Sequence, residues 1–261
     1  MANLFDLTGK TAVVTGSSTG LGKGMAIGLA SAGADVFLVD YVSSEETMNE
    51  INALGKKCSQ AITNLMAEGS VQKVVSNAID SFGKIDILIN NAGIIRRTPA
   101  IDFSEKDWDE VMNLNSRVVF FMCQAAAKDM MKRKYGKIIN IASLLSFQGG
   151  ITVPSYSASK GAVAQITKAL ANEWAKFGIN INAIAPGYMA TNNTTALRED
   201  PVRSKSILDR IPAERWGTPN DLQGAAIFLA SQLSVYVIGR LRSNFSCIAS
   251  VRLRKRTCSC G

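Results

Sequence analysis

The run TAVVTG, Thr11 to Gly16, constrains this chain more than any other segment. Rich in β-branched residues and ended by glycine, it reads as a buried strand. Gly20 to Ser31 follow with helical spacing and small residues, and Asp35 to Asp40 form a second strand-like run. The rhythm continues with helices around Glu45 to Leu54 and Val71 to Phe82, then a strand at Ile85 to Ile89. One long helix is expected from Ser104 to about Arg133, a strand at Lys137 to Ala142, and a helix from about Ser155 to Lys176. A strand at Asn180 to Ile184 and a last helix at Asp221 to Ala230 complete the pattern. Strands alternating with helices of this length require right-handed crossovers, which predicts a parallel sheet covered on both faces. The expected unit is therefore a single α/β domain over residues 1–230, three layers thick and doubly wound. Within it, residues 186–219 break the rhythm with polar residues and prolines, as substrate loops and lids do.

Three short motifs sit where such a sheet would use them. Gly16, Gly20 and Gly22 stand in GSSTGLG between the first strand and first helix. Glycines there let backbone approach a pyrophosphate, and the helix N-terminus offers oriented N–H groups to the anion; a purely structural turn is the plainer alternative. Asp40 ends the second strand, about twenty residues beyond the glycines. A carboxylate there accepts hydrogen bonds from an adenosine ribose and repels a 2′-phosphate, which favours NAD over NADP; a turn-capping Asp is the alternative. Asn90-Asn91-Ala92-Gly93 follows the apolar strand IDILI, at the end of the sheet where ligands lie.

Proton chemistry is expected from Ser143, Tyr156 and Lys160. An i to i+4 pair shares a helix face, so Lys160 would set its ammonium beside the Tyr156 phenol and favour the phenolate. Ser143, arriving from the end of another apolar segment, would hold a substrate oxygen. The chain contains no histidine, which removes Ser-His-Asp and Cys-His catalysis and His-ligated metals. Its five cysteines include no CxxC pair, so no metal site or disulfide framework is indicated.

With these motifs the chain, from Leu7 to about Ala230, resembles the classical short-chain dehydrogenase/reductase (SDR) family. The resemblance rests on TGSSTGLG, NNAG, the Asn of MNLNS, the Ser before YSASK, YSASK itself and the PG of IAPGYM. It implies a Rossmann-type fold, an NAD(H)-dependent oxidoreductase and a tetrad of Asn115, Ser143, Tyr156 and Lys160. In that family Tyr is the general acid/base, Ser orients the carbonyl, Lys lowers the Tyr pKa and holds the nicotinamide ribose, and Asn supports a proton relay through water. It further implies Gly16, Ser18, Gly20, Leu21 and Gly22 near pyrophosphate, Asp40 at the ribose, Asn64 and Leu65 near adenine, and Asn91, Ala92 and Gly93 along the ribose. Pro186, Gly187 and Met189 would wall the nicotinamide, and Thr191 would meet its carboxamide or the phosphates. A homotetramer is also implied.

Longer stretches, DFSEKDWDEVMNLN, IIRRTP, NIASLLSFQGGITVPSYSASK, NAIAPGYMATNNT and DRIPAERWG, are similar to the sugar-acid branch of the family. That likeness implies interconversion of a 5-keto and a 5-hydroxy 3-deoxy-2-ketohexonate in uronate breakdown, with gluconate oxidation at C5 as the rival. A guanidinium grips a carboxylate through two parallel hydrogen bonds. Arg97 is the favoured grip, ahead of Arg96 and Arg215, and Gln148 is a candidate hydroxyl partner.

The net charge of +8 belongs to the end of the chain. From Ser231 onward there are six basic residues and no acid, which leaves 23 basic against 21 acidic residues before it. The body is near neutral, so nucleic acid and membrane are not expected partners. No apolar run is long enough to span a bilayer, and MANLFDLTGK does not read as a secretory leader, so a cytoplasmic location is expected. Residues 231–261 read as an atypical basic tail in place of the closing strand and acidic glycine turn of family members. A change of reading frame or a sequence error is the favoured explanation, a true basic tail the alternative. Two functional classes stay open at this point: an active sugar-acid dehydrogenase, or a folded nucleotide-binding protein left inactive by its altered end.

Overall fold

Strand period alone sorts the apolar residues into two cores. In β1 (Thr11–Thr15), Val13 faces one side of the sheet while Ala12 and Val14 face the other. The computed structural model describes residues 3–243. Its elements run β1, α1 (Gly20–Ser31), β2 (Asp35–Asp40), α2 (Glu45–Ala53), β3 (Cys58–Ile62), α3 (Ser70–Phe82) and β4 (Ile87–Asn90). They continue with α4 (Glu105–Met112), α5 (Val119–Arg133), β5 (Gly136–Ile141), α6 (Pro154–Trp174) and β6 (Ile179–Ala185). The last are α7 (Thr195–Glu199), α8 (Pro201–Leu208), α9 (Gln223–Ala230) and β7 (Leu241–Ser243). All described strand pairs are parallel, in the order β3-β2-β1-β4-β5-β6-β7. Residues from α3, α5 and α6 cover one face and residues from α1, α2 and α9 the other, which makes the three layers.

The order reverses between β1 and β4: the chain leaves β1 toward β2 on one side and resumes at β4 on the other. Connections part at such a switch point, and a crevice opens beyond the carboxyl ends of the two strands. The glycine-rich turn after β1 and the NNAG turn after β4 both lie there.

Three elements differ from the sequence expectation. The sequence pattern names no strand between Leu54 and Val71, because CSQAI holds polar Ser59 and Gln60; as an edge strand β3 is only half-buried, so no apolar run marks it. The expected helix Ser104 to Arg133 begins where its capping Ser104 accepts a hydrogen bond from Asp107 N, but a π-helical stretch at Asn113–Val118 divides it. Single π turns inside helices concentrate at functional sites, and this one carries Asn115.

The closing strand is the third. The pattern loosens after Ala230, yet residues 235–243 run along β6 and end in β7, which pairs Leu241 to Ser243 with Ala183 to Ala185. Side-chain amides do the work that an apolar pattern would otherwise signal. Asn180 donates to Val235 O at 2.8 Å and Asn182 to Val237 O at 2.7 Å, while Asn182 accepts from Arg240 N at 3.0 Å. Lys137 on β5 is buried and donates to Asn180 and to the Ser234 hydroxyl, and burial pushes its ammonium down to about 8. The strand expected to be missing thus begins where it is needed. Residues 244–261, most of the proposed basic tail, lie outside the described residues.

Candidate active site

At the switch point the glycines are required by close approach. Gly16 has φ +67°, and a Cβ on it would lie 2.8 Å from Asn91 Nδ2 and 2.9 Å from Ala92 Cα. A Cβ on Gly22 would stand 1.9 Å from Gly16 O, so α1 packs directly onto the turn only because this residue is glycine. Asn91 Nδ2 in turn donates to Thr15 O at 3.1 Å and Gly16 O at 2.9 Å. Thr15 Oγ1 accepts from both Asn91 N and Ala92 N at 3.0 Å. The two turns are therefore locked to each other through a threonine that the motif reading passed over.

Between them opens a cavity of about 610 Å³. Its lining includes Gly16, Ser18, Gly20, Leu21, Asp40, Asn64, Leu65, Asn91 to Gly93, Tyr156, Lys160 and Thr191, so most of the proposed cofactor residues meet at one surface. Asp40 accepts hydrogen bonds from Ser18 N at 2.8 Å and Tyr41 N at 2.7 Å, which fixes its carboxylate beside the glycine turn. Gly22 lies behind the lining, where its role is packing. Pro186, Gly187 and Met189 also lie outside it: Met189 is buried in the α1–α9 core and bridges to Gly217. Thr63, Ile94 and Ile141 join the lining without having been singled out; apolar or lone polar positions at strand ends carry no motif.

Of the proposed tetrad, Tyr156 and Lys160 line the same cavity, while Asn115 and Ser143 lie outside the lining. Asn115 is fully buried: its Oδ1 accepts from Ile94 N at 2.9 Å and its Nδ2 donates to Ile94 O at 2.8 Å and to Ser159 Oγ at 3.2 Å. Its side chain thus ties the segment after β4 to the helix that carries Tyr156. Ser143 caps a short 3-10 turn, its Oγ accepting from Leu145 N at 3.1 Å, and its hydroxyl favours the ionised form of the Tyr156 phenol. Burial raises the phenol above its ordinary value; Ser143 and the charge of Arg97 oppose this.

Lys160 departs from expectation. It shares a face of α6 with Tyr156, but its Nζ donates to Ile141 O at 2.5 Å and lies 5.7 Å from the centre of the Tyr156 ring. Burial pushes its ammonium down to about 8. The expected contact of the Lys160 ammonium with the phenol is replaced by its hydrogen bond to Ile141 O at the carboxyl end of β5. Ser143 and the charge of Arg97 act to lower the phenol pKa.

Above the cavity, residues 188–217 form an excursion whose ends are pinned together. Ala190 N donates to Gly217 O at 2.7 Å, Gly217 N to Tyr188 O at 3.0 Å, and the Tyr188 and Trp216 rings meet edge to face. α7 and α8 lie within this excursion. Of the three arginines weighed as carboxylate grips, two are already paired. Arg96 meets Glu110 at 2.9 Å and Asp107 at 3.4 Å, and Arg215 holds both oxygens of Asp221 at 2.7 and 2.8 Å. Arg97 alone is without a carboxylate among the described residues, its Nη2 donating to Asn193 O at 3.2 Å. Gln148 is exposed and lies outside the cavity lining.

A parallel sheet with its switch-point crevice, a glycine turn and a Ser-Tyr-Lys group with a buried lysine is the arrangement of a nucleotide-linked oxidoreductase. Residues 10–202 match the family model described as short chain dehydrogenase, and the chain belongs to that family. It is 59% identical over 238 residues to the 2-dehydro-3-deoxy-D-gluconate 5-dehydrogenase of Dickeya dadantii, covering 91% of this chain and 94% of that one. The enzyme of the same name from Escherichia coli is 58% identical over 90% of this chain and 93% of its own length. Among solved structures, a gluconate 5-dehydrogenase from Burkholderia cenocepacia in complex with NADP and tartrate superposes with a TM-score of 0.87 at 39% identity, covering 92% of this chain and 95% of that chain. Among the described residues no helix is long and apolar enough to cross a membrane.

Proposed function

We propose that this protein is an NAD(H)-dependent dehydrogenase that interconverts the ketone and the secondary alcohol at C5 of a 3-deoxy-2-ketohexonate, the reaction named for its relatives in Dickeya dadantii and Escherichia coli. The observation that carries the reading is the Tyr156 phenol at the lining of the cavity, with Ser143 and the charge of Arg97 both acting to lower its pKa. The cavity suits a dinucleotide: a turn that any Cβ at Gly16 or Gly22 would fill, opening onto the N-terminus of α1. Ser18, Gly20 and Leu21 would hold its pyrophosphate, Asp40 a ribose, Asn64 and Leu65 the adenine. When bound, NADH supplies the hydride.

The chain's own residues do the rest. A phenol with a raised pKa stays protonated at neutral pH, so Tyr156 is ready to donate its proton to the carbonyl oxygen in the reductive direction. Ser143 donates a second hydrogen bond to the same oxygen and stabilises the developing alkoxide. Lys160, held by Ile141 O at the cavity wall, would meet the nicotinamide ribose. Arg97 would take the sugar carboxylate. Asp40 beside the glycine turn supports NAD as the preferred cofactor, since a 2′-phosphate would meet its charge.

Tyr156→Phe should lower turnover of the 5-keto acid by about 10²–10⁴-fold while leaving NADH binding, followed by fluorescence, intact. Oxidation, which needs the phenolate, should rise with pH between 6 and 8 while reduction stays level. Retained turnover in the Phe variant would sink the assignment. Comparing 5-ketogluconate with the 3-deoxy acid separates the two sugar-acid readings.

A further inference from the structure

Three polar side chains stand in the core at places where strand and helix periods call for apolar ones. Asn90 shares a face of β4 with Leu88, Asn140 a face of β5 with Ile138 and Ala142, and Thr167 a face of α6 with Val163 and Ala171. Those five apolar neighbours all belong to the core between the sheet and α3, α5 and α6. Asn140 and Thr167 are fully buried, and Asn90 nearly so. Their polar atoms are spent on one another. Asn90 Nδ2 donates to Asn140 Oδ1 at 2.9 Å, Asn140 Nδ2 to Thr167 Oγ1 at 3.0 Å, and Thr167 Oγ1 to Val163 O at 2.8 Å. Asn90 Nδ2 also reaches Cys123 Sγ of α5 at 3.2 Å.

Stability alone does not call for this network. Buried polar partners replaced together by apolar groups of the same shape are often neutral in stability, whereas a single group left without its partner is costly. Hydrogen bonds add register, because apolar surfaces slide over one another and a donor aimed at one acceptor does not. Each member of the network adjoins the site. Asn90 is followed by Asn91, whose amide locks the NNAG turn onto Gly16 O. Asn140 is followed by Ile141, whose carbonyl holds Lys160 Nζ. Thr167 lies seven residues beyond Lys160, two turns on along the same face of α6. The end of β5 thus grips α6 at two points two turns apart, which fixes both the rotation of the helix and its slide along its axis.

We infer that Asn140 and Thr167 are positioning residues for the reaction: the buried network from Asn90 through Asn140 to Thr167 sets the register of α6 against the ends of β4 and β5, and so places the Tyr156 phenol at the cavity that the NNAG turn also lines. The inference rests on the reading of Tyr156 as the proton donor. Neither residue lines the cavity; both act through α6. Without the Thr167 hydroxyl, one Asn140 N–H loses its acceptor and the helix loses its second grip. Proton transfer is sensitive to displacements of that kind.

The test uses the full chain saturated with NADH, with two readouts: kcat and KM for the 5-keto acid, and amide hydrogen exchange of residues 157–163 in the early turns of α6. Thr167→Val keeps the shape and deletes the hydroxyl. It should lower kcat by about ten- to hundredfold with KM changed by less than about twofold, the mark of a misplaced group rather than of lost binding. Exchange of residues 157–163 should quicken, although they lie a turn or more from the substitution. Thr167→Ser restores the hydroxyl and should recover most of kcat. Ile51→Val trims the core on the opposite face of the sheet and should lower the melting temperature while leaving kcat and exchange in α6 unchanged. The inference is overturned if Thr167→Val keeps its kcat, if Thr167→Ser is as slow as Thr167→Val, or if Ile51→Val slows turnover equally. Normal turnover by Thr167→Val removes the positioning role alone and leaves the proposed reaction standing. If the unaltered protein does not turn over the keto acid, the substrate assignment falls and exchange decides for the network: quickened by Thr167→Val it stands, unchanged it falls.

Discussion

The floor of the cleft and its cover are built from different materials. Around the glycine turn, contacts run from backbone to backbone or through small buried side chains: Gly16 against Asn91, Gly22 against Gly16 O, Thr15 Oγ1 between two N–H groups. In the cover, residues 188–217, the chemistry sits on exposed, charged and long side chains, with Arg97 reaching up to Asn193 and Arg215 closing on Asp221. A wall of backbone tolerates almost no added atom but is indifferent to charge. A cover of arginines tolerates volume and responds to charge. A common cofactor is suited to the first, and a substrate that varies between relatives to the second.

Gly22→Ala should break the floor most severely. Its new methyl group would stand 1.9 Å from Gly16 O, a backbone atom that cannot yield without moving the turn. Overpacking of this kind costs roughly 1–3 kcal/mol, and we expect NADH affinity, read by fluorescence titration, to fall by about ten- to hundredfold or more. Near-normal binding would show that the turn is softer than its contacts imply.

Asp40→Ala alters charge without adding bulk, and so asks whether the floor also discriminates electrostatically. The ratio of kcat/KM for NADH over NADPH should fall by about tenfold or more, since a like charge facing the 2′-phosphate is removed. An unchanged ratio would mean that Asp40 serves only to hold Ser18 N and Tyr41 N.

The smallest effect is expected at the base of the cover. Arg215→Ala removes an exposed ion pair with Asp221, whose carboxyl Arg215 and the backbone N–H of Thr218 hold well below the usual range. Exposed pairs contribute little, so the melting temperature should drop slightly. The folded pKa of Asp221 is depressed, so the contribution is complete above the ordinary carboxylate value of 3.8 and is lost as pH falls through the lowered one. The difference between the two proteins should therefore be constant from pH 5 to pH 8, by calorimetry. A large loss at neutral pH would show that this pair organises the whole cover.

The fold was largely legible because the buried strands TAVVT, DVFLVD and the run after Ile85 carry their burial in their composition. β3 and β7 were not, for a shared reason: both are edge strands. The first is half polar, and the second is drawn to β6 by Asn180 and Asn182, whose amides reach Val235 and Val237 across 55 positions of sequence. The π turn at Asn115 left no trace, since a helix with one extra residue keeps helical composition.

Of the site, the residues needing a particular atom at a particular place were visible: glycines where a Cβ would collide, a serine, a tyrosine and a lysine at fixed spacing. Spacing put Lys160 on the face of Tyr156, and the structure then sent its ammonium to Ile141 O. Resemblance favoured Arg97 over Arg96 and Arg215 as the carboxylate grip, but nothing in the composition separates the three cations. Pairing separates them, taking two into ion pairs with Glu110, Asp107 and Asp221 and leaving Arg97 without a carboxylate among the described residues. The sequence by itself determined which chemistry the chain possesses, because identity and local spacing need no long-range contact. Which charges are free to use that chemistry on a substrate was decided by tertiary structure, since neutralisation depends on neighbours that only the folded chain brings together.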